Sequence, residues 1–500
     1  MVVRGGSQGR GGRVVPKVAL AMFRREPGQQ RSRGALALNG DAPRLLAVST
    51  WPMWLLGLAV MIDTLDQYIV RGTSNQIERV FHVGDFQIGI LFSAFIIVNG
   101  IATLPASYLG DRWSRKNIMA VTIVFWSVMS ALGGLVPAGA FVLLVVLRGA
   151  LGFGQAVTGP SSSSLVADYY GIERRGQAFS IQQCLTYVGL GLGLAVGSFF
   201  GTRFGHDGWR LAFLVSIVPG FVIAYLCWRL PEPSRGTADR AHVTGAVGME
   251  VATESQPLFP GGFSRFVGDM GRGLRDDART ILAIPTIRYA LVGVSVAGFV
   301  VTAVATWMPT LYERQFHLSQ GKANSAFGAL AILAGIPGTV IGGRIADRWV
   351  HRFLGARVVI PGVCLLAAGV LFLASFIPMP FAPMFALQLL GFFVYSSAVP
   401  ALRAGLADAT PARVRGTGAG AFNVASIIFG SAVAPLATAA VANHFGGNYR
   451  VAFAIVMPIS FVGAFFLLAA RRHIEADTAK IFEAVIAAQA SQSPEGTEPA

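Results

Sequence analysis

The amino-acid sequence predicts an all-α membrane protein: twelve transmembrane helices in two pseudo-symmetric six-helix bundles. Three observations carry that expectation. Of the 500 residues, 53% are apolar and only 13% charged, where a soluble domain carries about 25% charge, and mean hydropathy is +0.58. Apolar runs of spanning length recur along most of the chain. The two halves also repeat each other. Twelve helices of about 20 residues use about 240 apolar side chains, close to the stock available here. A soluble enzyme, a disordered chain and a nucleic-acid-binding domain are excluded on the same numbers.

Residues 1–50 are rich in Arg and Gly, with only Glu26 and Asp41 as acids, and read as a disordered cytoplasmic tail. The apolar run from Val18 to Phe23 is too short to span, and no cleavage-site pattern follows it. A start at Met22 fits the same residues. Spans are expected at about 51–71, 87–109, 118–136, 141–165, 177–201 and 210–230. A second set follows at about 289–311, 323–346, 357–377, 379–402, 416–441 and 449–471. Residues 51–230 and 289–471 thus form the two bundles, 231–288 a cytoplasmic central loop, and 472–500 a cytoplasmic tail. Within that loop Phe263, Phe266, Val267, Met270 and Leu274 recur at helical spacing between Arg265, Asp269, Arg272 and Arg275. They read as an amphipathic helix on the inner leaflet, or as a plain linker.

The duplication rests on ordered matches. Ala167-Asp168 with Arg175-Gly176 is echoed 240 positions later by Ala407-Asp408 with Arg415-Gly416. The same offset carries Trp209-Arg210-Leu211-Ala212-Phe213 onto Tyr449-Arg450-Val451-Ala452-Phe453, and an offset of 236 carries Asp111-Arg112-Trp113 onto Asp347-Arg348-Trp349. An even number of spans restores the starting orientation, so equal halves repeat in parallel.

Charge distribution orients the chain. With both termini cytoplasmic, seven of the 40 basic residues lie in outer loops, Arg148 lies within a span, and thirty-two face or border the cytoplasm. The formal charge of +15 therefore describes topology and contact with anionic lipid, not a polyanionic partner. Only four basic residues are lysine, and Ala and Gly are abundant, as a GC-rich bacterial genome produces. The expected location is the bacterial inner membrane. Cys184, Cys227 and Cys364 sit in apolar runs, and the seven histidines lie in loops, tails or span edges. No HxxxH or HExxH spacing occurs, so neither a disulfide framework nor a metal or other cofactor is expected.

Charge inside the membrane is expensive and usually functional. Span 1 carries Asp63 and Asp66, three residues apart and about 4.5 Å in rise. Span 4 carries Arg148 at matching depth. The three form either a proton-coupling element or a static ion pair. Spans 7 and 10 hold no equivalent pair, and Gln388 lies near the matching depth.

The loop after span 2 reads Leu109-Gly110-Asp111-Arg112-Trp113-Ser114-Arg115-Lys116, with Gly343-Arg344-Ile345-Ala346-Asp347-Arg348-Trp349 as its counterpart. Here the sequence resembles the major facilitator superfamily, whose loop reads G-x-x-x-D-R/K-x-G-R-R/K. Ser107 and Ser114 replace its two glycines, and Val350 replaces the later one in the second copy. Asp111, Arg112, Arg115, Asp168, Asp347 and Arg348 form the expected cytoplasmic gate, since acids among bases at helix ends pair and part as a face closes and opens. Topogenic charge alone would explain the bases but not the repeated Asp.

Arg148-Gly149-Ala150-Leu151-Gly152-Phe153-Gly154-Gln155-Ala156 is similar to the R-x-x-x-G-x-G-x-A motif of proton-coupled members. Span 5 has Gly189, Gly191, Gly193 and Gly197 but lacks the drug-antiporter signature G-P-x-x-G. Asp66-Gln67-Tyr68, Arg148-Gly149, Gly154-Gln155-Ala156 and Pro231-Glu232-Pro233-Ser234-Arg235-Gly236 resemble the spinster-like group of lipid transporters. Gln67 stands for that group's Arg and Gln155 for its Glu. The anion–cation symporter group shares Gly208-Trp209-Arg210 and the span 4 pattern. Further polar span residues are Gln183, Thr186 and Tyr187, then Thr302 and Thr306, then Asn423 and Ser426. Ser161 to Ser164 after Pro160 read as a helix bend, not a nucleophile.

The expected function is secondary transport, by alternating access, of a small organic or amphipathic solute such as a lysolipid-like compound or organic anion. Asp63, Asp66 and Arg148 would couple protons, and Gln67, Gln155, Gln183, Tyr187 and Asn423 would line the substrate cavity. The partners are that solute, protons and membrane lipids, and the chain is expected to be a monomer. A drug or metabolite exporter of the same fold and a non-transporting receptor are the alternatives.

Overall fold

The structure is a computed structural model. It describes residues 49–110, 113–170, 172–234, 262–350, 353, 355–408 and 424–492. Within them twelve helices are long and apolar enough to cross a membrane. Spans 1 to 6 are Trp51–Gly72, Asp85–Ala106, Arg115–Gly134, Phe141–Tyr169, Gln177–Arg203 and Gly205–Arg229. Spans 7 to 12 are Pro285–Phe316, Gln320–Ile345, Ala356–Ser375, Phe381–Arg403, Val424–His444 and Tyr449–Asp477. Each overlaps an expected span. The ends differ most where a helix runs on past the apolar stretch, because backbone hydrogen bonding continues after hydrophobicity stops. Span 12, for example, belongs to a helix that reaches Gln492. A polar helix also covers Phe263–Leu282 in the central loop, with Arg265, Arg272, Arg275 and Arg279 exposed.

Prolines set three of the irregularities. Span 4 is interrupted at Ala156-Val157 ahead of Pro160, span 6 at Ser216 ahead of Pro219, and span 12 at Met457-Pro458. A proline lacks the N–H that would close the preceding turn. The bend expected from the Ser161–Ser164 stretch is therefore present, just before it.

Packing follows the duplication. Span 1 lies along span 5, span 2 along span 4 and span 3 along span 6; span 7 meets span 11, span 8 meets span 10 and span 9 meets span 12. Between the halves, span 5 meets span 8 and span 2 meets span 11. An even number of crossings leaves the start of span 1 and the end of span 12 on one face, the terminal face.

Glycines set how closely span 5 approaches span 1. A methyl group at Gly189, Gly193 or Gly197 would collide with the backbone carbonyl of Met61, Leu65 or Ile69 respectively. Small residues at a helix interface let backbones meet where lipid gives no hydrophobic driving force. Gly191, on another side of the helix, meets Gly328 and Ile332 of span 8. Span 5 thus touches both its own bundle and the other half through glycine.

Candidate functional site

The charged centre of the first bundle draws on four spans. Arg148 Nη1 of span 4 lies 3.2 Å from Asp66 Oδ2 of span 1, and its Nη2 donates to the Asp66 carbonyl at 3.4 Å. The Ser130 hydroxyl of span 3 donates to the other carboxylate oxygen. Ser216, at the interruption in span 6, lies 3.3 Å from that hydroxyl, and the Phe213 ring sits 5.1 Å from the guanidinium. Asp66 is 1% and Arg148 5% exposed. An ion pair so shielded survives only when partners satisfy its remaining valences, and here both carboxylate oxygens are taken.

Asp63 is not part of that pair. It is half-buried, one turn nearer the terminal face, and its Oδ1 is shielded with no hydrogen-bond partner among the described residues. Its backbone carbonyl accepts from Gln155 Nε2 at 3.4 Å, and Gln67 Nε2 donates to Gln155 Oε1 at 3.2 Å. The sequence brings Asp63, Asp66 and Arg148 to one depth; the folded chain divides them into a paired acid and an unpaired one. Gly152 carries its share of the span 4 motif by packing on Phe95 and Asn99 of span 2, while Gly154 packs on span 3.

The second bundle holds a neutral counterpart. Tyr312 of span 7 donates to Gln388 Oε1 of span 10 at 2.6 Å, and Gln388 Nε2 donates to Ser375 of span 9 at 3.3 Å. Gln388 stands 240 positions after Arg148. Tyrosine, serine and glutamine here join spans 7, 9 and 10 as Asp66, Ser130 and Arg148 join spans 1, 3 and 4. All three are fully buried, so the duplicated architecture keeps its polar knot but carries charge in one half only.

The face opposite the termini is closed by polar contacts between the halves. Arg71, 1% exposed, donates to Ser74 and across to Thr310, with its guanidinium 5.9 Å from the Trp307 ring. Asn75 donates to Glu313 at 2.6 Å, Gln76 to Gln320 at 3.0 Å, and Gln320 to the Gly72 carbonyl at 3.0 Å. Asn324 donates to Ser198 at 2.7 Å, and Arg314 pairs with Asp85 at 2.7 Å. Glu78, on the short helix Ser74–Phe81 of this face, is pushed up to about 7, chiefly by burial and then by Asp85. None of this was read from the sequence: Asn75, Gln76, Asp85, Glu313, Arg314 and Gln320 fall in expected loops, and Arg71, Ser198, Thr310 and Asn324 near the ends of expected spans. The available signal was the pairing of a basic and an acidic end on spans 1 and 7.

On the terminal face the described contacts stay within one bundle or the other: in the second, the Thr286 backbone N–H donates to Asp477 at 2.9 Å, and the fuller set lies in the first. Arg115 bonds Asp168, Ser164 at 2.8 Å, Glu232 at 3.3 Å and the Pro233 carbonyl at 3.0 Å. Glu232 also accepts from the Ser114 hydroxyl and, at 2.8 Å, from the Arg115 backbone N–H, capping span 3 where its dipole favours an anion. The Pro231–Ser234 motif is thus a cap over span 3. Of the other gate residues, Asp111 and Arg112 lie outside the described residues, Asp347 sits on the span 8 helix and Arg348 is exposed there.

Between the bundles, Tyr187 of span 5 donates to Ser396 of span 10 at 3.1 Å. Its ring lies on Gly335 of span 8 and 5.8 Å from Phe392. Gln183 is half-buried one turn away, and Tyr395 donates to the Ala297 carbonyl of span 7 at 3.0 Å. Of the five expected cavity residues, Gln67 and Gln155 touch, Gln183 and Tyr187 share a helical face, and Asn423 lies outside the described residues. Thr186 and Ser426 bond backbone carbonyls, at 2.9 and 3.2 Å. A groove of about 450 Å³ lined by Val124, Phe221 and Trp228 opens elsewhere, between spans 3 and 6. Among the described residues no cluster of metal-binding side chains occurs.

The Major Facilitator Superfamily profile matches residues 56–428 and 357–492. The chain belongs to the major facilitator superfamily. It is therefore a multi-pass membrane protein of a secondary-transporter family, not an enzyme. Similar curated proteins are spinster proteins. "Protein spinster homolog 1" of Homo sapiens is 27% identical over 341 residues, 65% of this chain and 59% of the relative. "Protein spinster" of Drosophila melanogaster is 25% identical over 315 residues, 62% of this chain and 47% of the relative. The chain thus spans about half the length of the curated relatives it matches. A crystal structure of a bacterial homolog to the human lysosomal transporter Spinster, inward-facing and unoccupied, has a TM-score of 0.62 at 20% identity. That match covers 87% of this chain and 98% of the other, and it shows the shared fold.

Proposed function

We propose that this chain moves a small organic or amphipathic solute across the bacterial inner membrane by alternating access, driven by a proton gradient. The observation that carries the reading is the division of labour in span 1. Asp66 is neutralised by Arg148 at 3.2 Å, while Asp63 stands one turn away without a counterion. A carboxyl shielded from water and lacking a cation is the group that takes up and releases a proton as the bundles rock. Asp66 and Arg148 fix its surroundings, and the neutral Tyr312–Gln388–Ser375 knot leaves the second half to shape the substrate path.

The excess of arginine on the terminal face supports a cytoplasmic position for both termini. On that orientation the latched face is the outer one, which supports a cytoplasm-open reading. The spinster relatives and the resemblance in spans 1 and 4 support a lysolipid-like or organic-anion solute. Uptake into proteoliposomes with and without a pH gradient tests the coupling. Gradient-driven flux should be lost in Asp63→Asn and strongly reduced in Asp66→Asn and Arg148→Ala, while counterflow without a gradient persists in Asp63→Asn. Normal gradient-driven flux in Asp63→Asn would sink the assignment.

A further inference from the structure

Arg403 differs from the arginines of the charged centre, the latched face and the cap over span 3. Arg71, Arg115, Arg148 and Arg314 each bond at least one side chain, and all but Arg71 meet a carboxylate. Arg403 closes span 10 and has no carboxylate or hydrogen-bond partner among the described residues. Its electrostatic neighbours are the neutral hydroxyls of Tyr187 and Tyr395. Those tyrosines are 5% and 7% exposed and belong to the cleft between the bundles, and Tyr68 of span 1 lies within electrostatic range of both. Arg403 itself is exposed. It therefore sits in space that solvent reaches.

Its direction follows from helical spacing. Ser396, which accepts from Tyr187, lies seven residues earlier and so on the same face of span 10, about two turns away. A topogenic arginine at a span end would extend outward to the lipid headgroups; this one has cleft tyrosines as its neighbours. Nor is it a duplicated feature, for the position 240 residues earlier is Ser163. Its guanidinium is exposed and bonded to no side chain among the described residues, so its donors are open to an incoming anion. Its planar fork of donors matches a phosphate or carboxylate, and tyrosine supplies apolar area with a hydroxyl at its edge.

We propose that Arg403 is the binding group for an anionic head of the transported solute, a phosphate or carboxylate, with Tyr68, Tyr187 and Tyr395 forming the wall around it. The proposal rests on the transport reading for the identity of its occupant. It adds that the solute is an anion and that its charge docks on the second bundle, across the cleft from the proton site. Sequence reading counted Arg403 among the inner-face charges.

The test is scintillation-proximity binding of radiolabelled dodecyl phosphate to the full chain in nanodiscs, with empty discs subtracted. Unlabelled dodecyl phosphate should compete about tenfold better than dodecyl maltoside, which has the same tail, and Arg403→Gln should remove that preference while weakening phosphate binding about tenfold or more. Arg403→Lys should retain part of it. Competition by soluble butyl phosphate supports a water-borne anion as ligand, and competition by dodecyl phosphate alone supports a lipid-like one. Wild-type chain with no preference for phosphate over maltoside overturns the proposal, whether or not the variants fold. Unchanged phosphate binding in a folded Arg403→Gln does the same. Binding needs no gradient, so the two readings fail separately. Arg403-dependent binding without flux under any gradient refutes transport and leaves the site, whereas full phosphate binding and flux in Arg403→Gln refutes the site and leaves transport.

Discussion

Replacing Arg71 with alanine should open the latched face. The side chain crosses from span 1 to Thr310 of span 7 and rests beside Trp307. A hydrogen bond to a charged group contributes about 1.5–3 kcal/mol, and a shielded cation–π contact adds roughly 0.5–2 kcal/mol. Part of each is recovered by hydration once the face opens, so about 2–3 kcal/mol is the net expectation. Glu78, Glu313 and Asp85 also surround Arg71, and its removal leaves them mutually repelling with Arg314 as the remaining cation of that group. Both effects act in one direction. The ratio of open to latched molecules should rise about 30- to 150-fold. Spin labels on Arg79→Cys and Gln315→Cys, both exposed positions, would report it as a longer-distance population, with Cys184, Cys227 and Cys364 replaced by serine. Thr310→Val in the same background isolates the crossing bond by double-mutant cycle. An unaltered distance distribution in Arg71→Ala would refute the latch.

The same labels give a pH prediction. Glu78 has an ordinary value of 4.5 and is raised to about 7 when the face is closed, so closing favours its protonated form. The resulting stabilisation is complete below about 4.5 and is lost as pH rises through about 7. The latched population should therefore grow on acidification across that window, and Glu78→Gln should flatten the dependence. Arg148→Ala strands Asp66 without a cation and should destabilise the chain by about 3–5 kcal/mol, read as a lower melting temperature in detergent; adding Asp66→Asn should restore much of the loss. Gly193→Val places a side chain against the Leu65 carbonyl and 2.9 Å from Tyr68 Cβ, costing about 1–3 kcal/mol. Gly159→Ala, with nothing within 4 Å, should melt as the parent does.

The twelve spans were legible because a helix in lipid must be long, apolar and internally hydrogen-bonded, and composition records that directly. Depth was legible too: counting residues placed Asp63, Asp66, Arg148 and Gln388 at comparable levels. What counting could not supply was azimuth. Two acids three residues apart differ by a modest rotation, and only the packing of spans 3, 4 and 6 decides that Asp66 meets Arg148 and Ser130. The latch was hidden for a related reason. Asn75, Gln76 and Gln320 are ordinary loop residues until the fold sets spans 1 and 2 against spans 7 and 8. Arg403 was legible only as a charge near a span end; its electrostatic neighbours Tyr187 and Tyr395 are distant or uninformative along the chain.

The glycine seam between spans 1 and 5 has a mechanical consequence. With backbones in contact at Gly189, Gly193 and Gly197, the two helices have no compliant side-chain layer between them. They form one stiff strut that carries Asp63 and Asp66 on one edge and Tyr187 on the other. In the proposed rocking motion the acids and Tyr187 would sweep the same arc, and the distance between them would stay nearly constant. On that reading, whatever Tyr187 touches across the cleft, such as Ser396, would be geared to Asp63 without any wire of rearranging side chains. The remaining glycine contact of span 5, Gly191 against Gly328 and Ile332 of span 8, crosses instead to the second half.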